Sequence, residues 1–288
     1  SFKIEERTER LICQQAALVT AASPESIRDE FLTILSLGGA RTHLETLDRL
    51  GLLLTLVPEL EACRGVEQPQ QHYWDVFQHS LNSVEAVEKV TGQDRVAQMV
   101  NSIPWSDYIE SYIDQQVSDG YSRRTMIKLA ALMHDVAKPM TKSVDSDGRI
   151  RFVGHQTLGS LMSRDILNRI RVSNKGVRAV SDMINHHLRP THMNQKGELP
   201  TPRAVYRYFR DVGDVAVDTL YLSLADHIGA KGPQLDVDEW RYHVKIVTHI
   251  LELGTRQQKP DQPPKLITGH DLLSEFGLTP GPYIGVLL

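Results

Sequence analysis

The stretch Leu129-Ala130-Ala131-Leu132-Met133-His134-Asp135-Val136-Ala137-Lys138-Pro139 decides how this chain is read. Its apolar run predicts a buried helix over Met126 to Val136. Inside that helix a histidine and an aspartate stand side by side. A buried imidazole beside a buried carboxylate is costly unless both are paired. A metal ion pairs both at once, and so does a simple His–Asp hydrogen bond. The dipeptide alone does not decide between them.

Working outward, four more residues of the same chemistry sit in apolar helical settings. His79 lies on the inner side of a helix expected from about Asp75, near Phe77 and Leu81. His155 follows Gly154 at a loop-to-helix start. His187 ends a helix in Ile184-Asn185-His186-His187-Leu188-Arg189-Pro190. Asp226 interrupts the apolar run Leu222-Ser223-Leu224-Ala225. Each alone is more often a satisfied core residue than a ligand. Together, in this order, they point to a divalent-metal site. His186 is either a ligand or an outer donor, with the outer or exposed reading favoured. His227 points roughly 100° away from Asp226 on its helix and is read as no ligand. His43, His72, His192, His243, His249 and His270 are read as surface or core residues.

Helical period dominates the rest, so the fold class is all-α. Helices are predicted over 5–22, from Ser23-Pro24-Glu25 to Gly38-Gly39, and over about 40–50, the last stopping at Gly51. These form a small helical unit, 1–67. Gln68-Pro69-Gln70-Gln71 is a connector. A larger helical domain follows over 68–254. Its segment 92–122 is polar and mixed and is read as an inserted helical piece. Asp145-Ser146-Asp147-Gly148 is a turn between two very short strands. Helices are expected at 157–171, 174–187, 202–210, 212–229 and 236–253. Residues 255–265 read as a proline-rich linker, and a short helical tail starts near Gly269. Ser1 in place of a start methionine and the apolar end Gly285-Val286-Leu287-Leu288 suggest truncation.

Among 288 residues, 41% are hydrophobic, enough for a sizeable core without staples. The formal net charge of -4 and pI near 6.3 do not describe a strongly basic nucleic-acid binder. Cys13 and Cys63 form neither a disulfide framework nor a CxxC zinc site, which suits a cytoplasmic setting. No run of about 18 apolar residues is present, so no membrane is expected. Gly-x-Ser-x-Gly, Walker A and HExxH motifs are absent from the sequence.

The order His79, His134-Asp135, His155, His187, Asp226 resembles the HD superfamily of metal-dependent phosphohydrolases. That resemblance implies a first ion on His79, His134, Asp135 and Asp226. It implies a second on Asp135, His155 and His187, with Asp135 bridging. Imidazole plus carboxylate suits Mn, Fe, Ni, Co or Zn, and Mg where waters complete the shell. More of the chain resembles the region downstream of the catalytic head in bacterial tRNA nucleotidyltransferases and poly(A) polymerases. The matching pieces include Ser23-Pro24-Glu25-Ser26-Ile27-Arg28-Asp29-Glu30, Val57-Pro58-Glu59-Leu60, His72-Tyr73-Trp74-Asp75-Val76-Phe77-Gln78-His79 and Thr268-Gly269-His270-Asp271. Ser26 departs from the arginine usual there. Nucleotidyl transfer also needs a Gly-Ser element before an Asp-x-Asp pair. The two Asp-x-Asp triplets, Asp145-Ser146-Asp147 and Asp236-Val237-Asp238, lack that context and read as turn and cap. This chain is therefore expected not to add nucleotides itself.

The expected chemistry is attack of an activated water on a nucleotide or RNA phosphoester. Asp135 would orient it. Lys138 and Arg189 are candidate phosphate groups, each with a bland alternative as a solvated or ion-paired side chain. Two functional classes stay open: a phosphohydrolase, and a non-catalytic RNA- or tRNA-binding body.

Overall fold

The computed structural model describes residues 4–92, 102–193, 197–258 and 281, and at 255–258 the backbone only. It is helical almost throughout. α1 (Glu6–Gln15) passes into a 3-10 turn, Ala16–Ala21. The single helix expected over 5–22 is thus broken. Val19 and Thr20, both β-branched, fall in the tightened part, where the Thr20 hydroxyl donates to the Ala17 carbonyl. α2 (Pro24–Ser36) starts as expected: Ser23 Oγ accepts from the Ser26 amide and Pro24 takes the first turn. α3 (Ala40–Arg49) and α4 (Leu52–Leu56) follow, and a 3-10 turn, Pro58–Cys63, closes this unit.

The larger unit is built on α5 (Val76–Val90), α7 (Arg123–Met133), α10 (Asn174–His186) and α13 (Ala216–Lys231). α13 packs most extensively on α5. The two approach so closely that a Cβ on Gly229 would stand 2.4 Å from Ser83 Oγ and 2.9 Å from the Ser83 amide nitrogen. Glycine is required there for the crossing. Around these four lie α8 (Lys138–Thr141), α9 (His155–Arg169), α11 (Arg189–His192), α12 (Pro202–Val212) and α14 (Val237–Gln258).

Three expectations are corrected. α7 ends at Met133, so His134 and Asp135 stand just past its end in a turn leading to α8, not inside the helix. The stretch 92–122 is not wholly helical. After α6 (Asp107–Ile113), β1 (Gln116–Ser118) and β2 (Tyr121–Ser122) form a hairpin. Asp119 (φ 53°) and Gly120 (φ 84°) make its turn, both left-handed as a two-residue hairpin loop demands. α14 runs to Gln258, into the stretch read as linker. The remainder of that linker and the helix expected near Gly269 lie outside the described residues. The second hairpin, β3 (Lys142–Val144) with β4 (Ile150–Phe152), matches the turn read at 145–148.

The two units are joined through a buried ion pair. Glu88, on α5, accepts from the Gly39 and Ala40 amides at 2.9 Å each and so caps α3. Lys128 Nζ, on α7, holds Glu88 Oε1 at 2.8 Å and the Leu37 carbonyl at 2.8 Å. A carboxylate at the positive end of a helix is favourable, and the lysine balances the charge that burial penalises. Nearer the surface, Arg169 on α9 grips both Glu59 oxygens at 2.8 and 2.9 Å.

Candidate metal centre

The six candidate ligands converge at one point in the larger unit. α5 brings His79, the turn after α7 brings His134 and Asp135, and α9 brings His155 as its first residue. His187 stands directly after α10, and Asp226 lies within α13. His79, His134, Asp135, His155 and His187 are buried, while the Asp226 side chain is 21% exposed and opens to the cavity above. α7 and α10 both point their negative C-terminal poles at the cluster, which favours a cation.

The imidazoles are oriented by the backbone. The Nδ1–H groups of His134, His155 and His187 face the carbonyls of Ala131, Phe152 and Ile184 at 2.9, 2.7 and 2.7 Å. Each carbonyl lies three residues earlier in the chain. Donation from Nδ1 leaves the Nε2 lone pair for the centre. Nε2 of His79 lies 3.0 Å from Nε2 of His134, 3.0 Å from Asp226 Oδ1 and 3.2 Å from Asp135 Oδ2. His155 Nε2 lies 3.4 Å from His187 Nε2 and 3.4 Å from Asp135 Oδ1. Asp135 therefore turns one oxygen to each group of histidines, and neither oxygen accepts a well-angled hydrogen bond.

These separations fit a divalent ion. Bonds of about 2.1 Å place two ligand atoms about 3.0 Å apart at right angles and about 3.4 Å apart in a tetrahedron. Three triads are compact enough for one ion: His79 with His134 and Asp135, His134 with His187 and Asp226, and Asp135 with His155 and His187. His186 is in none of them. It is half-buried, and burial and then Arg189 hold its basicity down.

Without an ion the charges must balance by protons. Burial opposes charge on His134, yet Asp135 and Asp226 together raise its pKa to about 10. Burial disfavours a charged His187, and the neighbouring His134 charge adds to this, lowering it to about 3. Burial works against ionised Asp135 and Asp226 too, but their imidazole neighbours, with Lys138 beside Asp135, hold both well below the carboxylate range. One proton thus stands where a cation's charge is wanted.

Lys138 does reach the centre. Its Nζ is 2.6 Å from Asp135 Oδ2 and donates to Gln68 Oε1 at 2.6 Å. Arg189 does not. It pairs with Asp211 at 3.1 Å and lies outside the lining of the cavity. The cavity over the cluster holds about 450 Å³ and is walled in part by Arg151, Phe152 and Lys231. Reading the sequence missed two of its walls. His72 and His227 both line it, and each has a buried ring nitrogen, Nδ1 and Nε2 respectively, with no hydrogen-bond partner. Their only sequence signal was position: His72 stands just before the Asp75 cap of α5, and His227 follows Asp226. The Asp-x-Asp triplets behave as turn and cap. Asp145 and Asp147 bond within the β3–β4 turn, and Asp236 Oδ1 accepts from the Asp238 and Glu239 amides.

A helical bundle that gathers four imidazoles and two carboxylates in one pocket has a counterpart among known families. Residues 76–231 match the family described as "HD domain", and the chain belongs to it. Residues 1–64 match "Probable RNA and SrmB- binding site of polymerase A". Among curated proteins, the chain is 29% identical to an A-adding tRNA nucleotidyltransferase of Deinococcus radiodurans, over 100% of this chain and 59% of that protein. It is 26% identical to a CC-adding tRNA nucleotidyltransferase of Thermus thermophilus, over 99% of this chain and 56% of that protein. A bifunctional uridylyltransferase/uridylyl-removing enzyme of Methylococcus capsulatus is 25% identical over 94% of this chain and 30% of its own length. The chain thus spans little more than half of the nucleotidyltransferases it resembles. Among the described residues, no helix is long and apolar enough to cross a membrane.

Proposed function

We propose that the chain is a metal-dependent phosphohydrolase acting on nucleotide or RNA-end phosphoesters. The observation that carries this is the Asp135 carboxylate, buried between two groups of backbone-oriented imidazoles with an oxygen facing each. His79, His134, Asp135, His155, His187 and Asp226 would hold one or two divalent ions. Bound there, such an ion supplies Lewis acidity to a phosphoryl oxygen and makes water a nucleophile near neutral pH. The chain's own contribution is placement. Lys138, fixed by Gln68 and Asp135, presents a positive charge at the rim where a phosphoryl group gains negative charge. His72 and His227 offer unsatisfied ring nitrogens to substrate groups in the cavity. Arg189 has no part in this reading.

Elemental analysis of the purified chain tests it, together with hydrolysis of bis(p-nitrophenyl) phosphate in added Mn or Ni. One to two ions per chain are expected, with activity lost in Asp135→Ala. An ion-free chain, or a loaded chain inert on every phosphoester tried, would end the reading.

A second reading is favoured by the match of residues 1–64 to a probable RNA-binding region. In it the chain is the tRNA-binding body of a larger nucleotidyltransferase-like enzyme, and the centre serves structure. Tight tRNA binding by an ion-loaded but hydrolytically inert chain is its signature.

A further inference from the structure

A second cavity, of about 600 Å³, lies where α7 and α10 begin. It is larger than the one over the histidines, at about 450 Å³. We propose that this cavity, between the first turns of α7 and α10 and the turn 212–215, is a second ligand site, built for a nucleotide.

Three of its lining residues suit phosphate. Arg123, Lys175 and Arg178 line it. Lys175 and Arg178 are exposed on α10, and among the described residues their charged ends have no ion-pair or hydrogen-bond partner. Arg123 is held in place. Its Nη1 donates to Asp218 Oδ2 at 2.7 Å and to the Asp214 carbonyl at 3.2 Å, and its guanidinium lies 4.1 Å over the Tyr112 ring. Tyr112 in turn donates to Asp218 Oδ2 at 2.5 Å. Arg123 Nη2 donates to nothing among the described residues. A largely buried Arg–Asp pair gives little net stability over an apolar one of the same shape, so its use here asks for another reason. Fixing a guanidinium in the wall of a cavity is such a reason. Both helices also direct their positive N-terminal poles to this end of the molecule, although Ser122 and Ser173 already cap one amide of each.

Two other lining residues suit hydroxyls. Asp182 and Asp214 line the cavity as well. Asp182 has only a 3.7 Å contact with Arg164, and the Asp214 carboxylate has no partner among the described residues. These carboxylates would repel a bare phosphate, but they accept from the paired hydroxyls of a ribose. Val117, Ala179, Val212 and Val215 add apolar surface for the remainder of the ligand. A cavity of this size, lined by apolar side chains together with several charged ones, can take a small polar molecule. A free nucleotide and a nucleotide of an RNA chain share the recognised chemistry.

Lys175 in the first turn of α10 and His187 just past its end are about 18 Å apart along the helix axis. This site therefore stands or falls independently of the metal centre. The full, Mn-loaded chain is titrated calorimetrically with AMP, and 8-azido-AMP adducts are mapped by mass spectrometry. Adducts are expected in peptides spanning 174–182 or 212–217. The double variant Lys175→Glu, Arg178→Glu should bind AMP roughly tenfold more weakly or worse, with metal content unchanged. A short single-stranded RNA then identifies the source: displacement of AMP by RNA points to the RNA chain, and unchanged AMP binding to a free nucleotide. No AMP binding, adducts confined to the cavity over the histidines, or full affinity in the double variant would each overturn the proposal.

Discussion

His134 and His187 occupy the same local position on different helices: the first residue past the end, with Nδ1 toward the carbonyl three residues back. One backbone device thus serves twice. It fixes the tautomer without spending a side chain on it. His79 lacks any such partner for Nδ1, and its ring instead packs edge-on against those of His72 and His134. Charge at this scale gives a pH prediction. His134 is raised from 6.5 to about 10 in the ion-free protein. Its proton stabilises that form fully below about pH 6.5, and the benefit disappears as pH rises through about 10. His155 and His187 are shifted down by burial and are already neutral. An ion binding near pH 8 must therefore displace about one proton. Calorimetric titration with Mn in buffers of different ionisation enthalpy should show it, and a buffer-independent heat would contradict it.

The convergence of the candidate ligands was legible because each combines a polar type with an apolar helical setting. The outcome for Arg189 was not, because it depends on Asp211, on another helix. Asp119-Gly120 was a readable hairpin signal that the polar, mixed character of 92–122 obscured. The exact end of α7 was hidden as well. Ala, Leu and Met favour helix up to His134, and no glycine marks the stop.

Between elements, close approach and buried charge do most of the organising. Gly229→Ala would force α13 away from α5, since the new methyl meets backbone of Ser83 and not only its movable hydroxyl. A loss of about 1–3 kcal/mol is expected from overpacking, partly offset by about 1 kcal/mol of helix propensity. Asp226 is one turn away, so metal content should fall too. Urea unfolding with elemental analysis checks both, and an unchanged midpoint would refute the crowding argument. Removing one partner of the Lys128–Glu88 pair is a different matter. Glu88→Gln leaves a buried ammonium without its counter-charge and weakens the α3 cap. About 3–5 kcal/mol should be lost. Replacing both by Met and Leu should cost less, and a double variant as unstable as the single would count against the charge explanation.

Across the whole molecule, one core runs through both helical units, from Phe31 and Leu32 to Ile250 and Leu251. Arg169 with Glu59, and the bonds of Glu88 and Lys128 to Gly39, Ala40 and Leu37, fasten the units together. Removal of ions should therefore be felt globally. Thermal unfolding in excess EDTA should occur several degrees below that of the Mn-loaded chain, because anything that binds only the folded state raises its stability. Equal transitions would mean that the centre holds no ion of consequence. The larger unit was readable as helical from its period, and the smaller from its caps and glycines. What sequence did not supply was the second cavity, because its walls come from α7, α10 and the 212–215 turn, which carry no shared local pattern.

The centre draws its groups from five separate segments, the first at His79 and the last at Asp226. That spacing has a consequence in time. A ribosome adding roughly 5–20 residues per second releases His79 about 7–30 s before Asp226. Through that interval the growing chain carries imidazoles without their last carboxylate and without α13 to cover α5. The site is thus completed only when α13 emerges, after most of the helices that frame it.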